Sequence, residues 1–420
     1  MMHHNESQQP IVITGVGVIS PLGLDADTLW ENLLAGETRA ARITRFDPSP
    51  FHVQIACETN DFDPLDYMDR KEARRLDRVI QFAVACASQA VKQSCLDINA
   101  SNADRIGVIF GTAIGGLGSI QAGYEALFSK GPTRVSPLTG PMMLPDMASG
   151  QVAITFGVRG PNHCVVSACA TGNTALGEAV EVIRRGDADV MIAGSTDAAM
   201  TPFAMAAFHR TGAMSTRNDD PQHASRPFDA QRDGFVFGEG AGAVILETLE
   251  HARSRGARPL AEIAGYGSSN DAFHISAPAE DGIGAVLSMQ RAMDDAGIRP
   301  KDVDYINAHG TSTTLNDASE TKAIKRVFGE YAYQVPISST KSMTGHLMGA
   351  AGTIEGIVCV KTIEAGIIHP TINYEYPDPE CDLDYVPNEP RKVDVRVALS
   401  NSFGFGGHNA TIVYKKVEDE

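Results

Sequence analysis

Short apolar runs alternate along the chain with stretches whose apolar residues recur every third or fourth position. The runs predict buried strands, and the periodic stretches predict helices lying on their faces. A strand is predicted over 11–14, leading into Gly15-Val-Gly17. A short helix follows over 26–35, and after a loop with several prolines a long helix runs from 68 to about 94. Buried strands are predicted over 105–111 and 189–194. Between them, an extended apolar approach around Val165 and Val166 turns into a helix over 170–185. That helix has Leu176, Val180 and Ile183 on one face and a stop at Gly186. The polar, glycine-rich stretch 215–242 has no clear period, which predicts a functional loop.

From about residue 260 the pattern starts again. The stretch 261–269 repeats the first strand with its Gly-x-Gly, and the amphipathic segment 282–296 repeats the long helix. The run 302–311, ending Ala-His-Gly-Thr, repeats 104–112. The order of these echoes predicts two duplicated α/β halves, 10–258 and 259–420, with mostly parallel sheets and strand ends meeting at a shared cleft.

Composition narrows the function. The chain has 420 residues, 43% hydrophobic and 21% charged, and a net charge of -17. That charge argues against a nucleic-acid partner. Seven scattered cysteines without CxxC or zinc spacing predict reduced thiols, a cytoplasmic protein and no metal centre. No apolar run has membrane-spanning length, and residues 1–10 lack a signal core, so no membrane partner is expected; His3 and His4 read as tail. The Gly15-x-Gly17 pair is not a dinucleotide fingerprint, because Ser20 and Pro21 stand where a third glycine and a helix start belong. One local feature opposes the global charge: Arg70, Arg74 and Arg78 recur every fourth residue, with Lys71 and Arg75 beside them. Such a helix flank is either a solvated face or a docking patch for an acidic partner.

Three residues carry candidate chemistry. Cys169 sits where the extended segment turns into the 170–185 helix. That corner has the mechanics of a nucleophile elbow, with the helix N-terminus expected to lower the thiol pKa. Ala168, Ala170 and Gly172 are expected to keep the corner open to substrate. His309, in Asn-Ala-His-Gly-Thr-Ser-Thr, and His346, in Lys-Ser-Met-Thr-Gly-His-Leu, each follow a predicted strand. Each alone is more often structural; together with an elbow cysteine they form a Cys-His-His set. A last turn, 401–407, offers backbone N–H groups and two phenylalanines at a strand end.

These stretches, 160–176, 309–313, 341–352 and 401–407, resemble in order the signature motifs of the β-ketoacyl-acyl carrier protein synthases, the condensing enzymes of dissociated fatty acid synthesis. The resemblance runs from residue 11 to about 414, and Ile114 in the 112–118 turn is similar to the type II branch. It implies the thiolase-like fold, a five-layered α-β-α-β-α arrangement, and a homodimer. It also implies decarboxylative condensation of a Cys169-bound acyl chain with a malonyl-loaded carrier protein. By the same resemblance, His309 and His346 stabilise the enolate, while Lys341 and Glu320 organise the two histidines. The backbone N–H groups of Cys169 and Phe405 would form an oxyanion hole. Thr311 and Thr313 would bind the phosphopantetheine arm, Ile114 and Phe403 would line the acyl pocket, and Phe405 would gate it. No cofactor of the protein's own is implied, though the family allows a structural monovalent cation. Acidic acyl carrier proteins favour the docking reading of Arg70, Lys71, Arg74 and Arg75, with Arg210 and Arg217 as extensions. A type II polyketide ketosynthase, with the same chemistry on another chain, remains the alternative; a scaffold or nucleotide-binding protein is the non-enzymatic one.

Overall fold

The computed structural model describes residues 9–418, so His3 and His4 lie outside the described residues. Ten strands form the main sheet: β1 (Ile11–Ile19), β2 (Ile106–Gly111), β3 (Asn162–His163), β4 (Val190–Asp197), β5 (Gly240–Thr248), β6 (Ala261–Asn270), β7 (Tyr305–Asn307), β8 (Ile337–Ser338), β9 (Val397–Gly404) and β10 (His408–Lys415). Six helices matter most for the layers: α1 (Arg78–Gln93), α2 (Met147–Phe156), α3 (Thr171–Arg184), α4 (Ile283–Asp295), α5 (Thr314–Phe328) and α6 (Ala351–Ala365).

The strand order is β8-β7-β9-β10-β6-β1-β5-β4-β2-β3. Read outward from the β1/β6 junction, one side runs β1-β5-β4-β2-β3 and the other β6-β10-β9-β7-β8. Each strand of the second series stands where its counterpart five places earlier stands in the first. Helices α1 and α2 cover the outer face of the first series, and α4, with α5 packed on it, covers the second. Helices α3 and α6 lie between, packed on each other and on strands of both series. The result is the α-β-α-β-α arrangement. The expected division at 258/259 falls in the connection between the helix Leu249–Ser254 and β6.

Two expectations about the sheet are corrected. The sheet is mixed rather than mostly parallel: β2 is parallel to β3 and β4, and β7 to β8 and β9, whereas β5 and β10 run antiparallel to both neighbours. Also, β1 does not end at residue 14 but continues through both glycines. A Cβ on Gly15 would lie 2.2 Å from the Ala90 carbonyl, and one on Gly17 2.0 Å from that of Cys86. The glycines are therefore the bed on which α1 lies. Gly265 and Gly267 do the same for α4, where Cβ atoms would lie 2.2 Å from Ala292 O and 2.1 Å from Ser288 O. The repeated Gly-x-Gly is a packing device, used twice.

The long helix expected over 68–94 is two helices. Asp69 caps a short one, Arg70–Ala73, by accepting from the Lys71 and Glu72 N–H groups. Asp77 then caps α1 by accepting from Val79 N–H, as acidic N-caps do. The break turns Arg78 inward, where it pairs with buried Glu239 at 3.1 Å and stacks on Phe82. Arg70, Lys71, Arg74 and Arg75 stay exposed, so Arg78 does not belong to their flank.

Candidate active site

The duplicated topology sets the chemistry at strand ends. Cys169 follows β3 and immediately precedes α3; His346 follows β8 and precedes α6, the equivalent place in the other series. His309 follows β7, and Phe405 follows β9. Strand β9 runs to Gly404, so most of the expected 401–407 turn is strand.

At the cysteine corner the backbone is strained. Ala168 has φ +50°, a left-handed value uncommon for a residue with a Cβ. Thr171 holds it there, donating through Oγ1 to Ala168 O at 2.7 Å and accepting from Ser167 N–H at 2.9 Å. Gly404 presses in from the opposite side; a Cβ there would be 3.0 Å from Cys169 N. Gly172 does not open the corner to substrate, because its missing Cβ makes room for α6, 2.4 Å from Thr353 N.

Cys169, His309, His346, Glu320, Thr311, Thr313, Phe403 and Phe405 all line one cavity of about 260 Å³. Lys341 and Ile114 do not. Ile114 packs instead in the apolar cluster that holds Cys169, Met200 and Met348. The two imidazoles meet edge to face, with ring centroids 5.5 Å apart. Phe403 and Phe235 each stand against one of them, at 5.6 Å from His309 and 5.4 Å from His346. Neither imidazole has a hydrogen-bond partner among the described residues, and both Nδ1 atoms are buried. Burial, reinforced by the positive charge of Lys341, holds both histidines well below the usual imidazole range. At neutral pH each is uncharged, with one N–H to donate.

Burial pushes the Cys169 thiol up to about 12, against the expected lowering by the helix N-terminus. The positive charge of Lys341 and the nearby backbone N–H groups of Phe405 and of Cys169 itself oppose that rise, and the charge of Asp197 adds to it. The desolvation of the buried sulfur outweighs the dipole and these donors. The nucleophile therefore rests as a thiol, with the N–H groups of Cys169 and Phe405 nearby.

Glu320, midway along α5, accepts from the His309 and Gly310 N–H groups at 2.9 and 2.8 Å and so clamps the turn after β7. Lys341 pairs with Glu355 of α6, its Nζ donating to Oε1 at 2.5 Å with both side chains buried. Lys341 and Glu320 thus approach the histidine turns through different partners. Thr311 and Thr313 exchange a hydrogen bond at 2.9 Å, and Thr313 also caps α5. The 215–242 loop straps the site: Ser225 donates to Lys341 O, Gly234 N–H to Ser312 O, and Phe235 lies against His346. Phe235, Met348 and Glu355 were not singled out from the sequence. Only Glu355 had a visible signal, an acid inside the otherwise apolar stretch 354–360. Arg210 is exposed at the end of the helix Pro202–His209, next to the cavity-lining Thr211 and Gly212; Arg217 is half-buried and donates to Gln231 O.

A set of oxygens behind the histidines bears on the monovalent cation. Asn307 Oδ1, Glu355 Oε2 and Ser400 Oγ are buried and lack any hydrogen-bond partner among the described residues. Asn307 and Ser400 are register partners on β7 and β9, and α6, which carries Glu355, packs on β9. One carboxylate with two neutral oxygens suits a hard cation of single charge. Among the described residues no cluster of His, Cys, Asp and Glu suits a transition metal.

Comparison with known proteins decides the family. The models for the β-ketoacyl synthase N-terminal and C-terminal domains match residues 8–252 and 260–375. The chain belongs to the β-ketoacyl synthase family. Among β-ketoacyl synthases, a 3-oxoacyl-[acyl-carrier-protein] synthase 2 of Staphylococcus aureus (strain COL) is 54% identical over 408 residues, 97% of this chain and 98% of its own. Its counterpart from Synechocystis sp. is 50% identical over 414 residues, 99% of this chain and 100% of its own. Among solved structures, the ishigamide ketosynthase/chain length factor superposes with TM-score 0.92 at 37% identity, covering 98% of this chain and 100% of its own. A type II polyketide ketosynthase in complex with its acyl-carrier protein superposes with TM-score 0.89 at 35% identity, covering 98% of this chain and 100% of its own. These thiolase-like neighbours share the layered architecture.

Proposed function

We propose that this β-ketoacyl synthase is an elongating 3-oxoacyl-[acyl-carrier-protein] synthase. The observation that carries the reading is the convergence of an elbow thiol and two neutral imidazoles on one cavity. In loading, Cys169 Sγ attacks an acyl thioester; the thiol proton goes to the departing carrier thiolate. The oxyanion is held by the Cys169 and Phe405 N–H groups, which lie close to the sulfur. In condensation, the bond from the malonyl carbon to its carboxylate breaks and carbon dioxide leaves. The electron pair passes to the thioester oxygen as an enolate. One N–H each from His309 and His346 stabilises that oxygen, each such donor being worth about 3 kcal/mol. Neutral imidazoles suit this task, since each donates without holding a competing carboxylate. The enolate carbon then attacks the Cys169 thioester, the carbon–sulfur bond breaks, and the Cys169 thiolate takes a proton to reset the thiol.

In this reading Thr311 and Thr313 meet the phosphopantetheine arm, Ile114 and Phe403 shape the acyl pocket, and Phe405 gates it. Lys341, held by Glu355, keeps the histidines neutral, and Glu320 positions His309. A monovalent cation held by Asn307, Glu355 and Ser400 would supply fixed positive charge behind the histidines. The exposed Arg70, Lys71, Arg74 and Arg75 would dock acyl carrier protein. Fatty acid rather than polyketide synthesis is favoured because the 3-oxoacyl-[acyl-carrier-protein] synthase 2 relatives are 54% and 50% identical, the type II polyketide ketosynthase 35%. We place the protein in the cytoplasm, supported by seven unpaired thiols; among the described residues no helix is long and apolar enough to cross a membrane.

The test is product mass spectrometry with a medium-chain acyl-carrier protein and malonyl-carrier protein. The expected product is a 3-ketoacyl chain two carbons longer, absent with Cys169→Ala. No condensation with any acyl chain length overturns the reading.

A further inference from the structure

Asp197 closes β4 and is fully buried, yet among the described residues no cation pairs with it. All four groups that meet its carboxylate are neutral donors. Oδ1 accepts from Thr112 Oγ1 at 2.8 Å and from Ile114 N–H at 3.2 Å. Oδ2 accepts from Ala113 N–H at 3.0 Å and from Gly349 N–H at 2.7 Å. Thr112 Oγ1 in turn accepts from Gly115 N–H at 3.0 Å. The glycine-rich turn after β2 is therefore wound round one carboxylate, and that carboxylate also grips the segment three residues beyond His346. Fit at the second grip is tight: a Cβ on Gly349 would lie 2.6 Å from Asp197 Oδ2 and 2.7 Å from Ala113 N. The preceding Met348 has φ +54° and lines the cavity with Cys169 and His346. Such strain persists only where the surroundings impose it, and the Gly349 N–H bond is the adjacent restraint. Ile114, on the other side of the carboxylate, packs in the same apolar cluster as Met348 and Cys169.

We propose that Asp197 is a positioning residue for acyl-chain selection, fixing the turn that carries Ile114 to the segment that carries His346 and Met348. One anchor then sets both the apolar wall beside the nucleophile and the seat of the second imidazole. The inference rests on the synthase reading above, with the acyl chain lying against Ile114 and Met348. Asparagine has the same shape, but its amide group would face N–H donors and leave two of them unpaired. The turn would relax, and the wall would move relative to Cys169.

The experiment follows acylation of Cys169 by intact-protein mass spectrometry, using short-, medium- and long-chain acyl-carrier proteins. It compares wild type, Asp197→Asn and Thr112→Val, the last removing a single donor with little change of shape. The expected result is a change of about tenfold in the ratio of long- to short-chain acylation rates for Asp197→Asn. Thr112→Val should change the ratio in the same direction but less, and it decides the matter alone if Asp197→Asn does not fold. Unchanged ratios in the variants, with or without a lower melting temperature, overturn the inference and leave Asp197 a brace. Failure of wild type to acylate with any chain overturns the synthase reading and the inference with it.

Discussion

Glu320 shows what the site asks of a single residue. Its carboxylate is buried and accepts two backbone N–H groups from the His309 turn, with Asn401 Nδ2 at 3.4 Å. Burial still dominates and pushes it up to about 7, with Asp317 adding to the rise and Lys341 opposing it. The sign of the pH effect follows. Between about 4.5 and about 7 the folded protein keeps a proton that the unfolded chain has released. Glu320 therefore makes stability fall as pH rises through that window, with no further change above it. Glu320→Gln, a neutral mimic of the protonated acid, removes this slope. Its stability relative to wild type should rise by up to about 3 kcal/mol between about pH 5 and about pH 8. Urea unfolding of the two proteins at both pH values measures the difference, and all other titrations cancel in it. A constant difference would mean that Glu320 is ionised throughout the range.

At the scale of elements, the break between the helix Arg70–Ala73 and α1 decides which cations face outward. Charge spacing alone merged the two helices, because Arg70, Arg74 and Arg78 keep a four-residue period across the break. The second cap, Asp77, was visible in the sequence but lies in a run of charged residues that masks it. The structural consequence is a separable pair of effects. Lys71→Glu with Arg74→Glu should raise the Michaelis constant for carrier protein severalfold while leaving turnover at saturation nearly unchanged, as a rim charge does. Arg78→Glu should instead lower the melting temperature, since it sets a carboxylate beside buried Glu239. Steady-state kinetics at low and high salt check the first; an unaltered constant would remove the docking role. The Cys169 corner and the two histidine turns were legible because strand, turn and helix signals there are local. The doubled Gly-x-Gly was legible as a repeat, but its cause, a helix lying on each strand, was not. The Lys341–Glu355 pair and the Asp197 anchor join residues 14 and 83 or more positions apart, and no local pattern records such pairs. Strand direction was misjudged for the same reason: buried apolar runs look alike whichever way their neighbours run.

For the whole molecule the open question is the second copy implied by the family resemblance. Eight of the fifteen large apolar side chains exposed among the described residues fall between 117 and 166: Tyr124, Leu127, Phe128, Leu138, Met143, Leu144, Ile154 and Val166. The same stretch contains β3, the two-residue strand at one end of the sheet order. Phe128 is 81% exposed and stacks only on Tyr124. A large exposed apolar set beside a free sheet edge is the mark of an interface. Energetics assign the work between the two features. Association costs about 4–15 kcal/mol in lost freedom. Edge-strand hydrogen bonds, at about 1 kcal/mol each over two residues, do not offset that. Apolar burial at about 25 cal/mol per Å² over a standard interface does. The homodimer should therefore depend on the aromatic and aliphatic face more than on strand pairing. Sedimentation of wild type should give twice the chain mass of 44.7 kDa, and Phe128→Glu with Ile154→Glu should give the chain mass, still folded by circular dichroism. A monomeric wild type at micromolar concentration would remove the dimer, and a dimeric double variant would move its interface to another face.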